Sequence, residues 1–413
     1  MNHDKNNKGL GMNSIKANPI DKVSVYVAAG LVSGAGALLL NVLPLLFGAL
    51  AEKFGLGENQ LGNLALAMNL GFGLLGLASL LWVRRVSWRV IALLSSLRVI
   101  AMVLYVVSEP SFESLFVIMA LAGAGTGALY ALAMTIFGDS AQPERAFGFK
   151  LGLETVPGAT LLVLLPVAVM PVWGFHGMLL TIALTLLLTG IAPLLWVPAR
   201  SARVVEASRV SAQASAARRP IVWLSLVASL VFLTGIMAVW AFLELIGKKT
   251  GLSGDTIGAV LAVGFIINAG GGFIASSIGL KAGRFVPLAI IILAQLAGLV
   301  LLAQFGSFTT YVIGAVLFLF SINFVLAYTF GIMAEFDVSG KLVALGALCL
   351  SAGAAFGPAL SGLLIEQFGY TAAFVFSGSC SVLALLAYGA AVLRSQQLLQ
   401  REQDADGLVL SRL

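Results

Sequence analysis

Twelve apolar stretches, each long enough to cross a lipid bilayer, constrain this chain more than any other feature. A helix needs about 20 residues to span the hydrocarbon core. Runs of that kind lie near 24–51, 61–83, 89–108, 115–137, 146–171 and 175–197, and again near 221–246, 257–278, 285–304, 309–333, 342–365 and 371–393. Within hydrocarbon every backbone polar group must be bonded internally, so runs of this length are helices. The fold expected is an all-α polytopic membrane protein. Composition agrees: 60% of the residues are hydrophobic and 10% charged, against roughly 25% charged in a soluble protein. The lipid bilayer is the solvent such a chain requires.

The break between the sixth and seventh runs, residues 198–220, carries Arg200, Arg203, Arg209, Arg218 and Arg219 among Ala and Ser. It divides the chain into a 23–197 bundle and a 221–393 bundle, flanked by a polar leader (1–22) and a tail (394–413). An even number of crossings puts both termini on one face. Twenty of the 24 Lys and Arg residues fall in segments on that face, while Lys53, Lys248 and Lys249 lie on the other. The excess predicts cytoplasmic termini. The leader lacks the short apolar core of a signal peptide. No Asn-x-Ser/Thr acceptor occurs, which is compatible with a plasma membrane, the inner membrane if the source is a prokaryote.

The two bundles repeat. Gly55-Leu56 with Leu61-Gly62 recurs as Gly251-Leu252 with Ile257-Gly258, a shift of 196 residues. The same shift takes Gly76 to Gly272, Asp139 to Glu335 and Arg145 to Lys341; later, Gly174-Phe175 maps onto Gly369-Tyr370. Collinear matches in loops of the same side mark an internal duplication of six helices.

Twelve spans, a basic central loop and a six-plus-six repeat resemble the major facilitator superfamily over essentially the whole chain. The family's loop signature after the second helix, Gly-x-x-x-Asp-Arg-x-Gly-Arg-Arg, is reduced here to Gly76, Arg84 and Arg85. Its second-half counterpart keeps Gly272, Gly279 and Lys281. Gly353-x-x-x-Gly357-Pro358-x-x-x-Gly362 is similar to Gly-Pro segments at which the family's helices pack closely. Gly123-x-x-x-Gly127 serves the same end, since small residues let backbones approach in lipid. The Arg that many proton-driven drug exporters of the family carry in the fourth helix has no counterpart in Ala120 to Tyr130. The resemblance implies alternating access around a cavity ringed by the first, fourth, seventh and tenth helices. It also assigns Arg84, Arg85, Asp139, Arg145, Lys281, Glu335 and Lys341 to a cytoplasmic gate; ordinary basic residues near water are the alternative.

Charges within the runs that the repeat does not duplicate are Arg98, Lys150, Glu154 and Glu244. A mid-membrane charge is costly, roughly 2.5–3.5 kcal/mol or more, and usually meets a cavity or a partner. Glu154 leads as a proton carrier, because desolvation disfavours the ionised carboxyl. Its structural alternative is an ion pair with Lys150, one turn earlier. Arg98 is a structural partner for Glu154 or for carbonyls, or else an anion site. Glu244, one turn before Lys248, reads as an interfacial pair, and His176 as an interfacial histidine. Proton coupling therefore falls on Glu154, Lys150 and Arg98.

Asn41, Tyr130, Trp240, Asn323 and Tyr328 stand on helices that the resemblance places around the cavity, and are the candidate substrate contacts. For each alone, a hydrogen bond between helices is the competing reading, and Trp240 also fits an interfacial anchor. Cys349 and Cys380 read as small buried hydrophobes. No nucleotide loop or metal-spaced His/Cys cluster occurs, so neither an enzyme nor a bound cofactor is expected, and nucleic acid is not a partner. The sequence predicts a monomeric, proton-coupled secondary transporter for a small apolar or amphipathic organic compound, with export preferred. Uptake of a small organic acid is the alternative, and a non-transporting membrane sensor or scaffold is the reading from another class.

Overall fold

The computed structural model describes residues 19–140, 143–200, 212–279, 281–336 and 341–410. Most of the leader, the linker stretch 201–211 and the side chains of Arg145, Glu335 and Lys341 lie outside the described residues. What is described is helical, with no strand among it. The first half holds α1 (Val23–Asn41), α2 (Leu43–Phe54), α3 (Glu58–Trp82), α4 (Trp88–Tyr105), α5 (Phe112–Gly138), α6 (Pro143–Leu164) and α7 (Met170–Leu186). The second holds α8 (Ala212–Trp240), α9 (Leu243–Lys249), α10 (Gly254–Ile278), α11 (Phe285–Ala303), α12 (Phe308–Phe336), α13 (Lys341–Phe368) and α14 (Tyr370–Leu410).

Ten segments among the described residues are long and apolar enough to cross a membrane. One, Phe149–Leu195, runs 47 residues, about 70 Å of helix at 1.5 Å per residue. That is more than twice the ~30 Å hydrocarbon core. It turns at Gly174, whose φ of 56° and ψ of −149° only glycine adopts freely, and so makes two crossings. With the 28-residue α13 the bundle has twelve.

The first crossing is broken at Val42 and the seventh at Phe242, so that α2 and α9 continue past the candidate spans that end at Asn41 and Trp240. The first break has a local cause. Pro44 has no N–H to give to the carbonyl four residues back, that of Leu40. A backbone N–H of the cap turn bonds this carbonyl, and the indole of Trp240 adds a second donor at 3.1 Å from the other half of the molecule. A second proline repeats the arrangement. Pro358 inside α13 leaves the Ala354 carbonyl without its helical donor, and the Asn69 amide of α3 supplies one at 3.1 Å. Ser351 returns a bond to the Asn69 carbonyl at 2.9 Å.

Between the halves, α3 packs on α13, α6 on α10, and α2 on α9. Glycines set the separation. A Cβ on Gly62 would stand 2.5 Å from the Pro358 carbonyl oxygen, and one on Gly362 would collide with the Glu58 carbonyl. Gly258 of α10 sits 2.5 Å, by the same measure, from the carbonyl of Leu162, four residues before Pro166. Within the first half, Gly123 and Gly127 of α5 lie against backbone carbonyls of Met68 and Phe72 on α3.

The bundle has a near end, where residues 199–200 of the linker meet α4 through the Ala199 carbonyl and the Trp88 N–H, and a far end. At the far end Lys53 pairs with Glu109 at 2.6 Å. The ammonium holds the Glu109 carboxyl below the usual carboxylate range. A depressed carboxyl stabilises the fold above its unfolded value, so this contact weakens as pH falls through the folded value.

The proline-freed carbonyl makes a specific prediction. Asn69→Leu should lower the unfolding free energy of the detergent-purified protein by about 0.6–2 kcal/mol, the range for a lost interhelical bond in a membrane protein. Adding Pro358→Ala gives Ala354 a helical donor again and should recover part of that loss. A purely additive double variant would mean that the Asn69 bond does not compensate for the proline.

Candidate functional site

Lys150 and Glu154 lie one turn apart on α6 and form an ion pair at 2.6 Å, with the Lys side chain 1% and the Glu side chain 10% exposed. Two further elements complete the cluster. Ser33 of α1, wholly buried, donates to the same Glu154 oxygen at 2.5 Å. The Lys150 ammonium stands 4.1 Å from the ring centroid of Tyr130 on α5. Charge, hydroxyl and ring face thus converge from α1, α5 and α6.

The small residues of α1 permit this convergence. A Cβ on Gly30 would meet the Leu153 side chain at 2.6 Å, one on Gly34 the Pro157 ring at 3.1 Å, and one on Gly36 the Tyr130 backbone N at 2.7 Å. Only with α6 and α5 drawn this close does a side chain as short as serine reach the carboxylate. In a low-dielectric interior the attraction of the pair is strong, but so is the desolvation penalty of each ion. The Ser33 bond and the Tyr130 face offset part of that penalty.

The remaining predicted residues divide by location. Asn41 is half-buried with its amide against Gly158 of α6, one turn beyond Glu154. Trp240 is buried, stacked on Phe265 with ring centroids 5.7 Å apart, and bonded to Leu40. Asn323 is half-buried on α12, and its backbone N–H donates to Asn268 at 3.0 Å. The Tyr328 hydroxyl donates to the Gly279 carbonyl at 2.9 Å, tying α12 to the end of α10. Arg98 is half-buried on α4, which packs on α5 and α7, and it is not among the partners of Glu154.

At the near end Arg84 grips Asp139 through two bonds, 2.9 and 3.2 Å, with the carboxylate buried. Both residues belong to the first half, so this pair closes α3 on α5 rather than one half on the other. Arg85 and Lys281 are exposed. Next to Asp139 in sequence, Ser140 joins the Tyr26 hydroxyl and Asp21 in a compact triad, with contacts of 2.6–2.8 Å.

Sequence reasoning did not single out Ser33, Asn69 or Ser351. Each is one small polar side chain in a long apolar run, and only the neighbouring helix reveals its partner. Glu244 was read as an interfacial pair; the structure keeps that pair, with Lys248 at 3.0 Å, but buries the carboxylate between the halves, against Gly48 of α2.

Two six-helix halves meeting at glycine-lined seams, with a buried charge cluster inside one of them, define a polytopic membrane transporter. The Major Facilitator Superfamily model matches residues 25–338, and the chain belongs to that family. A search of curated proteins gave no match. Among solved structures, the fold is similar to a bacterial homologue of the human lysosomal transporter Spinster in an inward-facing and unoccupied conformation. The TM-score is 0.66 with 16% sequence identity, over 92% of this chain and 97% of that one. The protein is an integral, multi-pass membrane transporter.

The charge cluster predicts an asymmetric mutational response. Lys150→Met or Glu154→Gln alone should destabilise the purified protein, by about 3–5 kcal/mol if the partner stays charged. The double variant, with no buried charge left, should unfold closer to the parent. Equal and additive losses would show that the two side chains do not interact energetically.

Proposed function

We propose that the chain is a secondary active transporter that works by alternating access and couples the movement of a small apolar or amphipathic organic compound to protons through Glu154. The observation that carries this reading is the buried Lys150–Glu154–Ser33 cluster. A proton arriving at Glu154 removes one charge of the pair, and Lys150 and Ser33 must then find other partners. Protonation thereby changes how α1, α5 and α6 are held together, which is what a coupling site requires.

The substrate class rests on the side chains near the candidate cavity helices. Phe72 with Tyr130, Trp240 with Phe265, and Phe320 with Phe324 are aromatic pairs drawn from both halves, interspersed with a few amides, Asn41, Asn69, Asn268 and Asn323. Such a lining suits apolar surface with a few polar points better than a sugar. Uptake of an organic acid would call for a cation facing the substrate. Lys150 is engaged by Glu154, and Arg98 stands on α4 against α5 and α7.

With the Lys and Arg excess placed in the cytoplasm, the seams of α2 with α9 and of α3 with α13 close the outer side. The protein then stands in an inward-facing state, from which export proceeds by capturing compound from the cytoplasm or the inner leaflet. Membership of the family supports a small-molecule substrate.

Reconstituted protein in liposomes with an imposed pH gradient tests the proposal. A compound first identified by its thermal stabilisation, about 2.7 kcal/mol at a hundredfold excess over Kd, should move with protons in the parent. Glu154→Gln should still exchange the compound across the membrane but no longer move protons with it. Undiminished proton movement in Glu154→Gln would sink the assignment of coupling to this residue, and stabilisation by carboxylates alone would overturn the substrate class.

A further inference from the structure

A second carboxylate is buried where the two halves touch. Glu244 opens α9, and its side chain is 4% exposed. It rests on Gly48 of α2 so closely that a methyl group on Gly48 would occupy the place of its carboxylate. One oxygen, Oε1, meets Lys248 at 3.0 Å. The other, Oε2, is buried with no hydrogen-bond partner.

The groups around it are few. On its own helix Lys248 is 36% exposed and is also 3.7 Å from Glu52 of α2, so its charge is shared between two carboxylates and screened by water. Tyr311 of α12 comes close, but its hydroxyl is spent on the Leu243 carbonyl at 2.9 Å. The neighbour from α10 is Ile257, which packs on Gly247. Two carboxylates therefore face one ammonium, and the more deeply buried of the two has an oxygen that nothing solvates.

We propose that Glu244 is a proton-binding carboxylate that governs closure of the outer seam, neutral while α2 and α9 are closed on one another and charged when they part. The inference rests on the transporter reading but not on the role of Glu154. When the seam closes, Glu244 loses water and has only a shared cation in exchange. One proton taken from the water at the far end brings the Glu244–Glu52–Lys248 group from a net charge of −1 to zero. When the seam opens, water reaches Oε2 and the proton returns to the same aqueous phase. Because the closed state binds the proton more tightly, proton binding must favour closure in equal measure.

The test uses full-length protein in lipid nanodiscs. Spin labels are placed at Lys53→Cys and Lys249→Cys, the exposed ends of α2 and α9, with Cys349→Ser and Cys380→Ser removing the native thiols. Electron-electron distance distributions are recorded between pH 5.5 and 8.5. The parent should shift from a short to a longer separation as pH rises. Glu244→Gln, which keeps shape but carries no charge, should hold the short separation throughout and lose the shift. Gly48→Ala should give the longer separation at every pH, because the added methyl displaces the carboxylate from its notch. Glu154→Gln should retain the shift, which separates this inference from the assignment of coupling to Glu154. A wild-type pH shift in Glu244→Gln would overturn the proposal. So would loss of the shift in Glu154→Gln alone, since the proton sensitivity of the seam would then originate at Glu154.

Discussion

The organisation of this protein depends on carbonyls that proline has deprived of the helical N–H four residues on. Lipid offers no water to solvate a freed backbone group, so each must find a donor from protein. Pro44 takes the i+4 donor from the Leu40 carbonyl, which keeps a backbone N–H of the cap turn, and Pro358 takes it from that of Ala354. In each case a side-chain donor comes from the opposite half, Trp240 for the first and Asn69 for the second. Hydrophobic burial cannot join helices in a solvent as apolar as their own side chains. Directional bonds of this kind, with the glycines that let backbones meet, hold half to half. Gly62 and Gly362 belong to the same α3–α13 seam as Asn69 and Pro358, so close approach and hydrogen bonding support one another there.

Polar interactions then separate into those within a half and those between halves. The Lys150–Glu154–Ser33 cluster lies wholly inside the first half, on α1 and α6, with Tyr130 on α5 beside it. A rigid-body movement of one half against the other leaves its internal distances unchanged and alters chiefly its access to water or substrate. The bonds of Trp240 to Leu40 and Asn69 to Ala354, and the seat of Glu244 on Gly48, join residues of different halves. The same movement must stretch or exchange them. A site of the first kind can hold a proton through the transition; one of the second kind reports the transition itself.

Much of this was legible in the sequence, because lipid imposes a length rule and a composition rule that apolar runs satisfy openly. The twelve crossings, the glycine pairs at Gly123 and Gly127, and the family were all read from spacing and repeat. The i,i+4 placement of Lys150 and Glu154 put their possible pairing on the page. Ser33 was not legible, since a serine among glycines and alanines carries no sign of which helix will face it. Glu244 was misjudged in depth for a physical reason. Distance along a helix locates a residue relative to the bilayer, but burial here comes from α2 closing over α9, a contact between segments nearly 200 positions apart. The breaks at Val42 and Phe242 also escaped the hydropathy pattern, which continues through both.

The two ends of the bundle are held by different kinds of contact, and this bears on how it can move. At the near end, the polar bonds that the structure describes join elements of one half to each other: Arg84 to Asp139, Tyr26 to Ser140 and Asp21, Arg89 to the Val197 carbonyl, Tyr328 to the Gly279 carbonyl. At the far end, beside bonds within a half such as Lys53 to Glu109, some cross: Tyr370 of α14 donates to Glu58 of α3 at 3.0 Å, Lys248 of α9 reaches Glu52 of α2, and Gly362 lies on the Glu58 carbonyl. Bonds within a half stiffen it as a lever, and bonds across the seam set where the lever is clamped. In the transporter reading, the far-end contacts across the seam are ones that movement of one half against the other must release. On the proposal above, the seat of Glu244 on Gly48 is released together with them, and with loss of a proton.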